Sequence, residues 1–130
     1  MKNLFTFYTL LLFGFFLNAQ NLKSPDNNLD LNFSIDKKGR AFYSLNFHDK
    51  PVILNSGLGF ILKDNVEWMK IDTLDMMNNF KVLNITFDSV DEYWNPVWGE
   101  ESEIRNNYNE MFVELEQKDS ERKVNIRFRL

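Results

Sequence analysis

Leu29-Asp30-Leu31-Asn32-Phe33-Ser34-Ile35-Asp36-Lys37-Lys38-Gly39-Arg40-Ala41-Phe42-Tyr43-Ser44-Leu45-Asn46-Phe47 is the stretch on which the fold turns. Leu29, Leu31, Phe33 and Ile35 alternate with Asp30, Asn32, Ser34 and Asp36. A period of two is that of a strand with one dry face and one wet face. Ala41, Tyr43, Leu45 and Phe47 repeat the pattern against Phe42, Ser44 and Asn46. Between them, Lys37-Lys38-Gly39 is a tight connection, with Gly39 suited to the left-handed backbone region. The pair therefore reads as an antiparallel hairpin.

Upstream of the hairpin, Gln20 to Asn28 is polar and reads as a loose leader. Met1 to Ala19 has the form of a secretory signal. Lys2 supplies the positive start, Leu4 to Phe16 is apolar and uncharged, and Leu17-Asn18-Ala19 offers a cleavage site. Its removal leaves 111 residues, 20–130, enough for one modest domain. A periplasmic or secreted protein is expected, free of the membrane once the signal is cleaved.

Downstream, His48-Asp49-Lys50 is a turn, and Pro51 to Leu54 a short strand. Ser56-Gly57-Leu58-Gly59 reads as a bend or bulge before a strand at Phe60-Ile61-Leu62. Asp64 to Asn79 shows no sustained period and reads as irregular. Phe80 to Phe87 is strand-like, with Leu83, Ile85 and Phe87 on one face. Met111, Val113 and Leu115 alternate in a strand ending near Gln117, and Lys118 to Glu121 is a charged turn. Val124, Ile126, Phe128 and Leu130 form a last strand that breaks off in mid-pattern, at an open edge that proteins ordinarily cover. The expected fold is all-β, an antiparallel β-sandwich that is incomplete at its C-terminal end.

From Tyr93 to Glu110 the chain gathers two of its three tryptophans, Trp94 and Trp98, with Tyr93 and Tyr108. Pro96 and Gly99 interrupt any regular element. Glu100, Glu101, Glu103, Arg105 and several asparagines follow. Aromatic faces beside amides, carboxylates and a guanidinium suit a carbohydrate or interdomain surface, the candidate contacts being Trp94, Trp98, Glu100, Arg105 and Tyr108. The same composition suits a long loop that anchors its aromatics in a core. On that second reading Trp98 is largely buried, Gly99-Glu100 forms a fixed bend, and Arg105 pairs with one of the neighbouring carboxylates.

Composition narrows the chemistry. The chain carries 15 basic and 19 acidic residues, and no basic cluster of the kind nucleic-acid binding requires. Cysteine is absent, so no disulfide staples the core. His48 is the sole histidine, which leaves neither a zinc ligand set nor a base for a nucleophilic serine. Glycoside hydrolysis needs two carboxylates at a set separation. Glu100 is the best single candidate, yet nothing in the sequence fixes a pair, and Glu101-Ser102-Glu103 lacks the spacing of a calcium loop. No catalytic residue and no metal ligand is assigned.

Trp94-Asn95-Pro96-Val97-Trp98-Gly99-Glu100, followed by Ile104-Arg105-Asn106-Asn107-Tyr108-Asn109-Glu110, resembles the N-terminal domain of family 97 glycoside hydrolases, the SusB-type α-glucosidases. Ser24-Pro25-Asp26, Ser56-Gly57-Leu58-Gly59 and Ile126-Arg127-Phe128-Arg129 resemble the same domain, in the same order. The resemblance implies a supersandwich of galactose-mutarotase type that continues beyond residue 130. It implies a separate β/α barrel carrying the catalytic carboxylates and most of a calcium site, and α-linked glucosides or oligosaccharides as substrates. This chain alone would then be inactive and hold no cofactor, its partner being the barrel. The alternative is a free-standing periplasmic carbohydrate-binding module.

Overall fold

The computed structural model describes residues 20–62 and 74–130, so the signal segment and residues 64–73 of the irregular stretch lie outside the described residues. Nine strands are described: β1 Gln20–Lys23, β2 Leu29–Ile35, β3 Ala41–Phe47, β4 Lys50–Leu58, β5 Phe60–Leu62, β6 Leu74–Met76, β7 Phe80–Trp94, β8 Ile104–Gln117 and β9 Lys123–Arg129. They form an antiparallel sheet in the order β1-β2-β3-β4, a small β5-β6 pair, and a second antiparallel sheet in the order β7-β8-β9. No helix appears among the described residues. The fold is all-β, and neither large sheet closes into a barrel.

The alternation read from β2 and β3 becomes the inner face of the first sheet. Leu31 pairs with Leu45 and Phe33 with Tyr43, so the apolar sets share a side. Leu22, Leu31, Phe33 and Ala41 meet Met111, Val113 and Leu115 of the facing sheet, joined by Met76 and Phe80. Phe33 packs on Phe128 of β9 at 5.8 Å between ring centroids. Burial of side chains such as these stabilises a fold by roughly 1.5–3 kcal/mol each.

The turn after β2 also joins the sheets. The Asp36 carboxylate accepts from the Lys38 and Arg40 backbone N–H groups, both at 2.9 Å. Gly39 adopts φ 70°, and a Cβ built on it would lie 2.5 Å from the Phe80 nitrogen. Phe80 N–H donates to the Gly39 carbonyl at 2.9 Å, and Asn79 N–H to that of Lys38 at 3.0 Å. Glycine is therefore required twice, for the backbone angle and for the close approach.

Several expectations change. Gln20 to Asn28 is not a loose leader. Its first four residues pair with β2 as β1, and the Asp26 carboxylate accepts from the Ser24 hydroxyl and the Asn28 N–H, closing the turn that follows. The strand expected at Pro51–Leu54 runs from Lys50 to Leu58, absorbing Ser56-Gly57, with register shifts opposite Ser44 and between Leu45 and Asn46. Within the stretch expected to be irregular, Leu74–Met76 is a strand. Leu83 sits at a bulge, so Val82 rather than Leu83 shares a face with Ile85 and Phe87. The β7 strand, expected to stop near Phe87, continues to Trp94.

Candidate functional site

β7 and β8 pair without a break from Asn84–Glu114 out to Trp94–Ile104. At about 3.4 Å per residue, the fifteen residues of β7 span about 50 Å. The core occupies only the near part, around Phe80, Met111, Val113 and Leu115. Among the described residues the hairpin beyond the pair between Leu130 and Asn109 is a two-stranded arm. The long loop expected at 93–110 is thus half strand, and residues 95–103 connect the two. Both faces of the arm are wet, which removes the apolar alternation that would have marked it as a strand.

Asn109 fixes the root. Its Nδ2 donates to the Lys23 carbonyl at 2.8 Å, and its Oδ1 accepts from the Ser89 hydroxyl at 2.7 Å. On the same face, Arg105 makes two parallel bonds to Asp91, Nε to Oδ1 and the terminal nitrogen to Oδ2, both at 2.8 Å. The guanidinium carbon lies 5.7 Å from the Tyr93 ring centre. Hydrogen bonds from Arg105 hold the Asp91 carboxyl below its usual range, and those same bonds raise the guanidinium's value. Arg105 therefore does pair with a carboxylate, but with Asp91 across the hairpin, not with a glutamate of its own stretch. Asp91 was missed because a residue of β7 and one of β8 become neighbours only when the arm is paired.

The opposite face carries a second network. Glu110 accepts from Arg129 at 2.7 Å and forms an ion pair with Arg127 at 3.2 Å, and Arg129 lies 4.6 Å from the centre of the Tyr108 ring. Tyr108 is half-buried there, and Asn106 donates to Glu92 at 2.8 Å. Tyr108 and Arg105 point to opposite faces, so the five candidate residues do not form one site.

At the tip, Asn95 Nδ2 donates to the Ser102 carbonyl at 2.7 Å, and the bend expected at Gly99-Glu100 extends over residues 97–100. Trp98 contradicts the buried-anchor expectation, being 88% exposed, with Val97 at 98% and Trp94 at 50%. The physical reason is the arm itself, because among the described residues no second layer stands opposite the connection at its end. Glu100 is exposed beside Trp98. Seven carboxylates between residues 88 and 110 stand against Arg105 alone, a net charge of −6 on a chain whose total is −4. Among the described residues no group of three acidic or histidine side chains is disposed to hold a metal.

Comparison with known proteins places this geometry. The model of the glycosyl-hydrolase 97 N-terminal family matches residues 22–130. A family 97 enzyme from Pseudoalteromonas sp. strain K8, solved as a variant with panose and separately with acarbose, is similar at 27% identity and TM-score 0.70. The match covers 85% of this chain and 15% of that enzyme. A β-arabinopyranosidase is similar in fold, at 22% identity and TM-score 0.68, over 85% of this chain and 16% of its own. This chain thus spans less than a fifth of the length of the solved enzymes it matches. On the match across residues 22–130, the chain belongs to the glycosyl-hydrolase 97 N-terminal family.

Proposed function

We propose that this chain is the non-catalytic N-terminal β-domain of an exported α-glucosidase-like glycoside hydrolase, and that its arm packs on the catalytic barrel and completes the edge of the active site. The observation that carries this is the tip, where Trp94, Val97 and Trp98 stand in water at the end of a paired ribbon. Large apolar side chains so placed are typical of an interaction surface. The panose and acarbose complexes of the Pseudoalteromonas enzyme support α-linked glucosides as the substrate class. Export rests on Lys2, the apolar run from Leu4 to Phe16 and Leu17-Asn18-Ala19. Calcium is expected for the full-length family, with most of its site on the barrel.

The exposure of Trp98 also favours the second reading, a free-standing carbohydrate-binding module, because a stacking tryptophan must be open to its sugar. One set of measurements separates the two. The chain alone is expected to show no turnover of aryl α-glucosides or maltose, with or without calcium. Added to the Pseudoalteromonas enzyme trimmed of its matching segment, it is expected to restore hydrolysis. Trp98→Ala should weaken that reassembly by about 2 kcal/mol, roughly 30-fold, the scale of a central interface aromatic. Panose binding by the chain alone, lost in Trp98→Ala, would instead establish the module. Turnover by the chain alone, abolished by Glu100→Gln, would overturn the non-catalytic reading.

A further inference from the structure

On the flank of the arm that continues the inner face of the second sheet, apolar side chains give way to polar ones. Phe87 stands opposite Met111 at the edge of the core; Ser89 then stands opposite Asn109, Asp91 opposite Asn107 and Tyr93 opposite Arg105. Side chains two residues apart share a face and project from the plane of the ladder, so pairing along either edge of the ribbon leaves this row open. Tyr93 is 59% exposed, and about half of each of the Asp91 and Arg105 side chains is accessible. Among the described residues, guanidinium groups lie over four aromatic rings. Phe42, Phe112 and Tyr108 are half-buried, and Tyr93 alone of the four is exposed. At its root the row opens on a hollow of about 590 Å³, lined in part by Leu22, Lys23, Phe87, Ser89 and Asn109. From Phe87 to Tyr93 it spans about 20 Å, room for a short chain of sugar rings.

We propose that this row binds an uncharged oligosaccharide, with the Tyr93 ring as the platform for one pyranose face and Asp91, Arg105 and Asn107 as its hydroxyl contacts. The ring supplies a large, fixed apolar face. The ion pair uses the Arg105 Nε–H and one terminal N–H, which leaves the other terminal donors and further lone pairs on both Asp91 oxygens for hydroxyls. Asn107 adds an exposed amide, a donor and an acceptor side by side. Since Asp91 and Arg105 already hold each other, binding orders little that is not ordered beforehand. Charge selects a neutral ligand, because the pair cancels within itself while the arm carries a net −6 and repels anions. The inference rests on the carbohydrate side of the reading above and moves the sugar contact from the tip to the flank.

Panose titrated into the 130-residue chain is the test, followed by NMR at the Arg105 Nε–H and the Tyr93 ring protons. Both signals are expected to shift with one dissociation constant, on the order of 1 mM. Tyr93→Ala should weaken binding at least about tenfold, whereas Tyr93→Phe, which keeps the ring, should stay within about threefold. Asn107→Ala, which leaves the ion pair intact, should weaken it about fivefold. Trp98→Ala should leave it unchanged, and glucuronate should shift the same signals less than glucose does at low salt. The absence of any shift at these two residues overturns the proposal, as does binding that survives Tyr93→Ala, binding lost in Trp98→Ala, or an equal response to glucuronate. Should Tyr93→Ala loosen the arm, Asn107→Ala decides, and unchanged binding there overturns the site. If the chain rescues the trimmed enzyme but leaves panose unbound, the flank site falls alone; if it does neither, the docking reading falls with it.

Discussion

Asp91, Arg105 and Trp98 lie within a few residues of one another along the arm and respond to opposite parts of their surroundings. Arg105 finds its partner across the ribbon because planar guanidinium and carboxylate match in a two-point bond. Trp98 finds nothing to cover it. Trp98→Ala is accordingly expected to leave the denaturant midpoint within about 0.5 kcal/mol of the parent, the range of exposed substitutions. Phe33→Ala, at a side chain 1% exposed, serves as the contrast and should cost roughly 3–5 kcal/mol. A loss of that size at Trp98 would mean that the tip is buried in solution. Pro96 and Gly99 made the bend at residues 97–100 legible, because they act through their own backbones. The exposure of Trp98 was not legible, since it depends on what stands opposite.

Hairpins differ in the same way. β2 and β3 were readable to the residue, because each has one dry face and Gly39 marks the turn. The far half of β7 and β8 was read as loop because its alternation, Ser89, Asp91 and Tyr93 on one side against Asp88, Val90 and Glu92 on the other, is polar on both. Periodicity reports burial, and a strand with no buried face has none to report. The β1 strand was hidden for a related reason, being only four residues long with a single fully buried side chain, Leu22. The turn at Gly39 does more than its sequence implied, since it seats the start of β7 through Phe80. Gly39→Ala is expected to cost at least about 1–3 kcal/mol, from a strained positive φ and the displacement of Phe80. The test is the denaturant midpoint, where no change would show the turn to be independent of β7.

Taken together, the two sheets share one core, and within each of them exposed carboxylates with local partners prefer the charged form. The Ser24 hydroxyl and Asn28 N–H lower Asp26, Arg40 lowers Asp36, Arg105 lowers Asp91 and Lys81 lowers Glu116. Each binds a proton less readily folded than unfolded, so the unfolded chain takes up more protons as the pH falls. Stability from these groups is thus fully present above their unfolded values of 3.8 and 4.5 and is lost as the pH drops below them. A melting temperature that declines from about pH 4.5 downward is expected; a flat profile to pH 2 would show that these contacts contribute nothing. Light scattering at neutral pH should rise as salt is added, because the charge on the arm has a colloidal consequence. At neutral pH two tips approaching each other meet carboxylate against carboxylate within roughly 10 Å, the screening length at 0.1 M salt. Trp94, Val97 and Trp98 are thereby expected to be held back from their counterparts on another copy, and added salt, by screening the arm, should turn the same tip from a guarded surface into a sticky one.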